Sequence, residues 1–241
     1  MLVTAAAGTG IGYATALRCA EEGATVAIAD RHERRLGEAA ERLAAETGSA
    51  PLAIPCDVTV EEQVQAMVDA AVAGLGQIDV MVNNAGLGGE ASILEMSDDE
   101  WSAVLDVTLN GTFRCTRSAL RHMADRGSGV VINNASVLGW RAQPGQAHYA
   151  AAKAGVMALT RCAAMDVADR GVRVNCVAPS IVVHANLAKS APQELLDELS
   201  AAEAFGRSAE PWEVATTIVF LASDYSSYMT GEVVSVSSQH P

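Results

Sequence analysis

Aromatic side chains are scarce in this 241-residue chain: Phe, Trp and Tyr make up 4% of it, while half of its residues are hydrophobic. The core must therefore be assembled from Ala, Val, Leu and Ile. Positive charge is also short. A formal net charge of −13 argues against nucleic acid or an anionic membrane surface as partner, since both repel an acidic protein. The longest apolar runs are strand-length, so neither a spanning helix nor a signal peptide is expected. Cys19, Cys56, Cys115, Cys162 and Cys176 lie far apart with no CxxC pair. They read as reduced core thiols of a cytoplasmic protein, with no disulfide or metal site expected. No linker, repeat or low-complexity stretch interrupts the chain, and 1–241 fits a single domain able to bury a substantial core.

What is present is an alternation. Short apolar runs at 2–4, 24–29, 51–55, 78–83, 129–134, 172–178 and 232–236 read as strands. Between them lie helical patterns near 10–22, 31–46, 60–74, 98–125, 148–169 and 210–223. Strands apolar on both faces that alternate with helices predict an α/β fold, a doubly wound parallel sheet with helices on both faces. Met1–Thr4 leave about four residues for the first, central strand, short against the usual five or six. A clipped strand, a late start and missing leading residues all remain open. Residues 180–208 form one long irregular segment beyond a strand end, a candidate substrate lid.

Two clusters carry chemistry. Tyr149 and Lys153 are four residues apart on a helical stretch and so share one face, with Ser136 thirteen positions before the tyrosine. An ammonium beside a phenol is expected to lower the phenol's pKa from its ordinary value of about 10. A serine hydroxyl alongside can hold the reacting oxygen. The set suits interconversion of an alcohol and a carbonyl, provided something else carries the hydride. Tyr-x-x-x-Lys by itself is far more often an exposed helix pair; Ser136 and the second cluster reverse the balance. Gly8, Gly10 and Gly12 follow a strand and open a helix, where free N–H groups and the helix dipole suit a pyrophosphate. The next strand ends in Asp30, eighteen residues after Gly12, where an acid meets ribose hydroxyls in dinucleotide sites. Thr59 with Glu62 is the better capping box for the following helix, which leaves Asp57 free for a base.

With the motifs Cys56-Asp57-Val58, Asn83-Asn84-Ala85-Gly86, Arg173-Val174-Asn175, Pro179-Ser180 and Glu210-Pro211 also in order, the chain resembles the short-chain dehydrogenase/reductase (SDR) family from Val3 to about Val236. The resemblance implies a Rossmann-type sheet of seven strands in the order 3-2-1-4-5-6-7. It implies Ser136 as the group orienting the substrate oxygen, Tyr149 as acid/base, and Lys153 as the residue tuning it and holding the nicotinamide ribose. Gly8, Gly10, Ile11 and Gly12 would line the pyrophosphate, Asp30 and Arg31 the adenosine ribose, and Asp57 and Val58 the adenine. Asn83, Asn84, Ala85 and Gly86 would edge the cofactor, with Pro179 and Ile181 beyond the sixth strand. Within the family the nearest look is to 3-oxoacyl-thioester reductases; SVLGW at 136–140 and EAFGRSAEPWE at 203–213 are similar to actinobacterial members acting in steroid-ring degradation.

Departures from the family pattern bear on activity. The usual Thr-Gly reads Thr4-Ala5, followed by one extra residue. Thr108 stands where the family places an asparagine that supports a water in the proton relay, so an altered relay is expected at this catalytic position. His184 replaces a threonine that contacts the carboxamide, and Ser237-Ser238 replaces a glycine pair. Asp30 favours NAD over NADP, although Arg31 and Arg34 could offset its repulsion of an extra phosphate. The expected partners are a small carbonyl or alcohol substrate, either an acyl-CoA thioester or an alicyclic steroid-derived ring acid. Trp140 would be a wall for a bulky substrate or else core or interface filler, and Arg141 a grip for a carboxylate or thioester phosphate or else a plain surface arginine. A 3-oxoacyl-[acyl-carrier-protein] substrate is the alternative, and a non-catalytic dinucleotide sensor or scaffold is the reading of another class. The family is usually tetrameric, and the small residues of 148–169 suit a homotetramer but would pack equally well within one subunit.

Overall fold

The structure, a computed structural model, describes residues 1–184, 187–190 and 192–238. Its strands are β1 (Leu2–Thr4), β2 (Ala27–Asp30), β3 (Leu52–Pro55), β4 (Val80–Asn83), β5 (Gly129–Asn134), β6 (Val172–Pro179) and β7 (Val233–Val236). All pairs are parallel and the order is β3-β2-β1-β4-β5-β6-β7, as the resemblance implied. The helices are α1 (Ile11–Glu21), α2 (Glu33–Thr47), α3 (Glu61–Leu75), α4 (Asp98–Leu105), α5 (Gly111–Arg126), α6 (Ala147–Val167), α7 (Leu187–Ser190), α8 (Gln193–Ala202) and α9 (Pro211–Ala222).

Successive strand side chains point to opposite faces, and both faces here are apolar. Leu2, Ala27, Met81 and Val131 turn to one side, where residues of α3, α5 and α6 cover them. Val3, Ile28, Val82 and Ile132 turn to the other, under α1, α2 and α9. The register enforces this sorting: Leu2 lies opposite Ala27 and Met81, and Val3 opposite Ile28 and Val82. Strand order reverses between β1 and β4. A ligand crevice opens at such a switch point, beyond the carboxyl ends of the strands.

Three expectations need correction. The helix expected over 98–125 is interrupted: α4 passes into a π-helical turn, Asp106–Asn110, before α5 begins. The wider turn carries the Thr108 hydroxyl onto the backbone of Leu87 while Gly111 packs on Val58, with a Cβ there only 2.7 Å from Val58 Cγ2. The strand expected from residue 24 starts at Ala27, because the amide of Ala24 still bonds to Cys19 in the exit from α1. Cys162 is exposed on α6, unlike the other four cysteines. In the segment 180–208, Val182 bridges to Ala209 and α8 buries Leu196; residues 185, 186 and 191 of the expected lid lie outside the described residues.

Candidate active site

Ser136 lies just past β5, and Tyr149 and Lys153 rise one turn apart from the first half of α6. The Tyr149 hydroxyl is hydrogen-bonded to the Ser136 side chain, and Ser136 Oγ also accepts from the amide of Leu138 at 3.2 Å. Lys153 is buried, 3% exposed, with its Nζ 5.4 Å from the Tyr149 ring centre. The ammonium donates to the Asn134 carbonyl at 2.6 Å. The expected acidified phenol is not what this geometry gives. Burial pushes the Tyr149 hydroxyl up to about 12, only partly offset by the bond to Ser136. Burial likewise draws Lys153 down to about 8. Desolvation penalises each charged form, and it is the largest cause of the shift in both groups.

Thr108 is fully buried in the π-helical turn. Its hydroxyl accepts from the Leu87 amide at 2.9 Å and donates to the Leu87 carbonyl at 3.1 Å. One hydroxyl thus satisfies both groups of a single peptide residue, with no amide needed. The loop it pins carries Gly86, where a Cβ would lie 3.4 Å from Lys153 Nζ and 3.9 Å from Thr108 Oγ1. A larger residue at 86 would crowd the lysine.

The glycine cluster opens α1 with Gly10 as its N-cap and no side chain capping the first amides. These free donors fit a pyrophosphate. Gly12 has no room for a side chain: a Cβ would lie 2.5 Å from the Ala5 carbonyl oxygen. The extra residue of the turn is braced from α2, where Arg42 donates to the Gly8 carbonyl at 2.7 Å and stacks 3.9 Å over the Tyr13 ring. His184 lies against Gly10, 3.4 Å from where a Cβ would be, and its Nδ1 accepts from the amide of Leu187.

An open cleft of about 200 Å³ runs along the β1–β4 switch, lined by Ala5, Asp30, Arg31, Arg35, Asp57, Val58, Ala85 and Gly86 among others. Asp30 accepts from the amides of Ala7 at 3.3 Å and His32 at 3.0 Å. Burial raises its pKa, while the Ala7 amide and the arginines Arg35 and Arg31 oppose the rise. Asp57 is less free than expected. Its Oδ1 takes both the amide and the hydroxyl of Thr59, at 2.9 and 2.7 Å. Burial pushes this carboxyl up, but the Thr59 bonds, with Arg31 and Arg114 nearby, outweigh it and hold the carboxyl below its ordinary value. The expected Thr59 capping box does not form: α3 is capped by Val60 without a side-chain bond, because that hydroxyl is spent on Asp57. Arg34 is also displaced from the expected role, paired with Glu38 at 2.6 Å on the outer face of α2.

Pro179 closes β6, and the carbonyl of Ile181 accepts from Ala209 at 2.9 Å. Trp140 is 44% exposed, following the short 3-10 turn Val137–Gly139 after Ser136. Arg35, Arg42 and Asn134 join the site although no sequence motif includes them. Arg35 was signalled by its helical spacing from Arg31; Arg42 and Asn134 carry no local signal.

A fold wound about a β1–β4 cleft, with a capless glycine turn following β1 and a Ser-Tyr-Lys cluster following β5 whose lysine reaches Gly86 in the cleft wall, defines a dinucleotide-dependent oxidoreductase. A family model described as "Enoyl-(Acyl carrier protein) reductase" matches residues 5–238. The chain belongs to the short-chain dehydrogenase/reductase family, whose members bind NAD(P), and it is an enzyme of that family. It is 62% identical over 242 residues to the (5R,7aS)-5-hydroxy-7a-methyl-1-oxo-2,3,5,6,7,7a-hexahydro-1H-indene-carboxyl-CoA reductase of Mycobacterium tuberculosis, covering 100% of this chain and 92% of that protein. It is 37% identical over 235 residues to a 3-oxoacyl-acyl-carrier-protein reductase of Staphylococcus aureus, covering 98% of this chain and 95% of that one. A short chain dehydrogenase from Mycobacterium smegmatis superposes with a TM-score of 0.88 at 57% identity, over 100% of this chain and 92% of that structure. Among the described residues, no helix is long and apolar enough to cross a membrane.

Proposed function

We propose that this enzyme reduces a ring ketone on a fused five- and six-membered carbocycle carried as a CoA thioester, with NADH as reductant. The full-length 62% identity to the indene-carboxyl-CoA reductase carries the substrate class. The nicotinamide, when bound, supplies the hydride. Ser136 holds the carbonyl oxygen and Tyr149 gives it a proton. A phenol held near 12 stays protonated at neutral pH, which is the form a reduction needs as hydride adds to the carbonyl carbon. Lys153 places a positive charge beside that oxygen. The orphan amides of α1 hold the pyrophosphate, and Asp30 accepts from the adenosine ribose, which favours NAD over NADP. Arg31 and Arg35 flank the same carboxylate. Trp140 forms an apolar wall for the ring system.

Acyl carrier protein, itself acidic, is the poorer donor of substrate. The chain's net charge of −13 repels it overall, and exposed Glu194, Asp197 and Glu198 on α8 add to that charge. The sensor reading, motivated by Thr108 and the altered glycine turn, is the weaker one, since the Ser136, Tyr149 and Lys153 set is intact and the family match covers residues 5–238. Exposed Trp101, Phe113 and Met165 on α4, α5 and α6 support a homotetramer, and reduced cysteines support a cytoplasmic setting.

The deciding measurement follows NADH and NADPH oxidation with three forms of one indane ketone acid: the CoA thioester, the free acid and the carrier-protein thioester. Turnover is expected with NADH and the CoA thioester. Preference for the carrier-protein form would overturn the substrate reading.

A further inference from the structure

Asn134, the last residue of β5, faces two parts of the site at once. Its main-chain carbonyl receives Lys153 Nζ at 2.6 Å. Its side chain, 8% exposed, donates from Nδ2 to Asn84 Oδ1 at 2.9 Å. Asn84 Nδ2 in turn donates to the carbonyls of Thr4 and Ala5, each at 3.3 Å.

The direction of this chain is fixed by its far end. A carbonyl only accepts, so Asn84 must turn its nitrogen to Thr4 and Ala5 and its oxygen to Asn134. Asn134 must then present its own nitrogen. That orientation leaves Asn134 Oδ1 buried without a partner, an unfavourable arrangement that persists only where something is gained.

What is gained lies at Ala5. Among the described residues it alone, apart from glycines, has a positive φ, +52°. An L-residue there is strained by its Cβ, whereas glycine is not. The N-terminus of α1 rests on this same turn, because a Cβ on Gly12 would lie 2.5 Å from Ala5 O and 2.6 Å from Asn84 Nδ2. If the turn relaxes, the orphan amides of α1 move with it.

We propose that Asn134 is a positioning residue for the cofactor turn: through Asn84 it holds Ala5 in its strained conformation, while its carbonyl anchors Lys153 beside Gly86. The inference rests on the reading that the glycine turn seats a nicotinamide dinucleotide. Wild-type binding of NADH and NADPH tests that reading alone, since failure of both would remove it whatever the variants do.

The test of Asn134 is a double-mutant cycle read by NADH binding fluorescence, with thermal melting to verify folding. Asn134→Leu removes the donor at similar volume and is expected to weaken NADH binding about tenfold, the loss of roughly one well-made hydrogen bond's worth of order. In an Ala5→Gly background the same substitution is expected to weaken it less than about threefold, because glycine holds a positive φ without help. Asn134→Asp keeps the shape but sets acceptor against acceptor, and should match the leucine variant in the otherwise wild-type chain; it stands in if the leucine variant does not fold. Unchanged NADH affinity in both variants, or an equal loss with and without the Ala5→Gly substitution, would overturn the proposal.

Discussion

Replacing Thr108 by valine changes almost nothing in shape and removes one hydroxyl. The residue is fully buried, so no water can stand in for it at its present packing. Two hydrogen bonds disappear, and the amide and carbonyl of Leu87, bonded to that hydroxyl at 2.9 and 3.1 Å, both lose their partner. Each lost bond is worth about 1 kcal/mol, with more where the stranded group stays dry. We expect a destabilisation of about 2 kcal/mol, which for a chain of this length lowers the melting midpoint by about 4–8 °C. The freed loop carries Gly86, in contact range of Lys153 Nζ, so ketone reduction should slow as well. Thr108→Asn supplies both a donor and an acceptor at similar volume and should retain activity. Melting curves and NADH-dependent turnover of the two variants check this. A valine variant that melts and turns over like wild type would refute the assignment of Thr108 as the pin of that loop.

Tyr149→Phe should lower turnover by about 10²–10⁴-fold, the usual contribution of a positioned acid, while NADH still binds; steady-state kinetics beside fluorescence titration separates the two. Lys153, drawn down by burial to about 8, is charged below that pH and neutral above it. Reduction should therefore hold level up to about pH 8 and fall beyond, whereas Lys153→Arg should lack this limb; a wild-type profile flat to about pH 10 would contradict it. Tyr149, near 12, stays protonated throughout and adds no limb of its own. Asp30→Ala should weaken NADH binding roughly tenfold by removing a charged acceptor and shift preference toward NADPH, with Arg31 and Arg35 left in the cleft. Titration with both cofactors reads the ratio, and an unshifted ratio would show that Asp30 does not discriminate.

The sheet, its helical layers and the two reactive clusters were legible in the sequence because each rests on a local period or a short spacing. Apolar runs such as 80–82 and 130–132 announce burial on both faces, and Tyr149 and Lys153 share a helix face by arithmetic. Properties that depend on what surrounds a group were not legible. The sequence pairs Lys153 with Tyr149 and suggests an acidified phenol; burial of both reverses that and leaves a protonated one. The π-helical turn at Asp106–Asn110 answers to Leu87, some twenty residues away. The same holds for Asn134, whose partners Asn84, Thr4 and Ala5 come from two other strands' ends. Spacing along the chain thus determined which side chains were available for catalysis. Desolvation and contacts between distant segments, which exist only once the sheet is assembled, decided their charge states and what holds them.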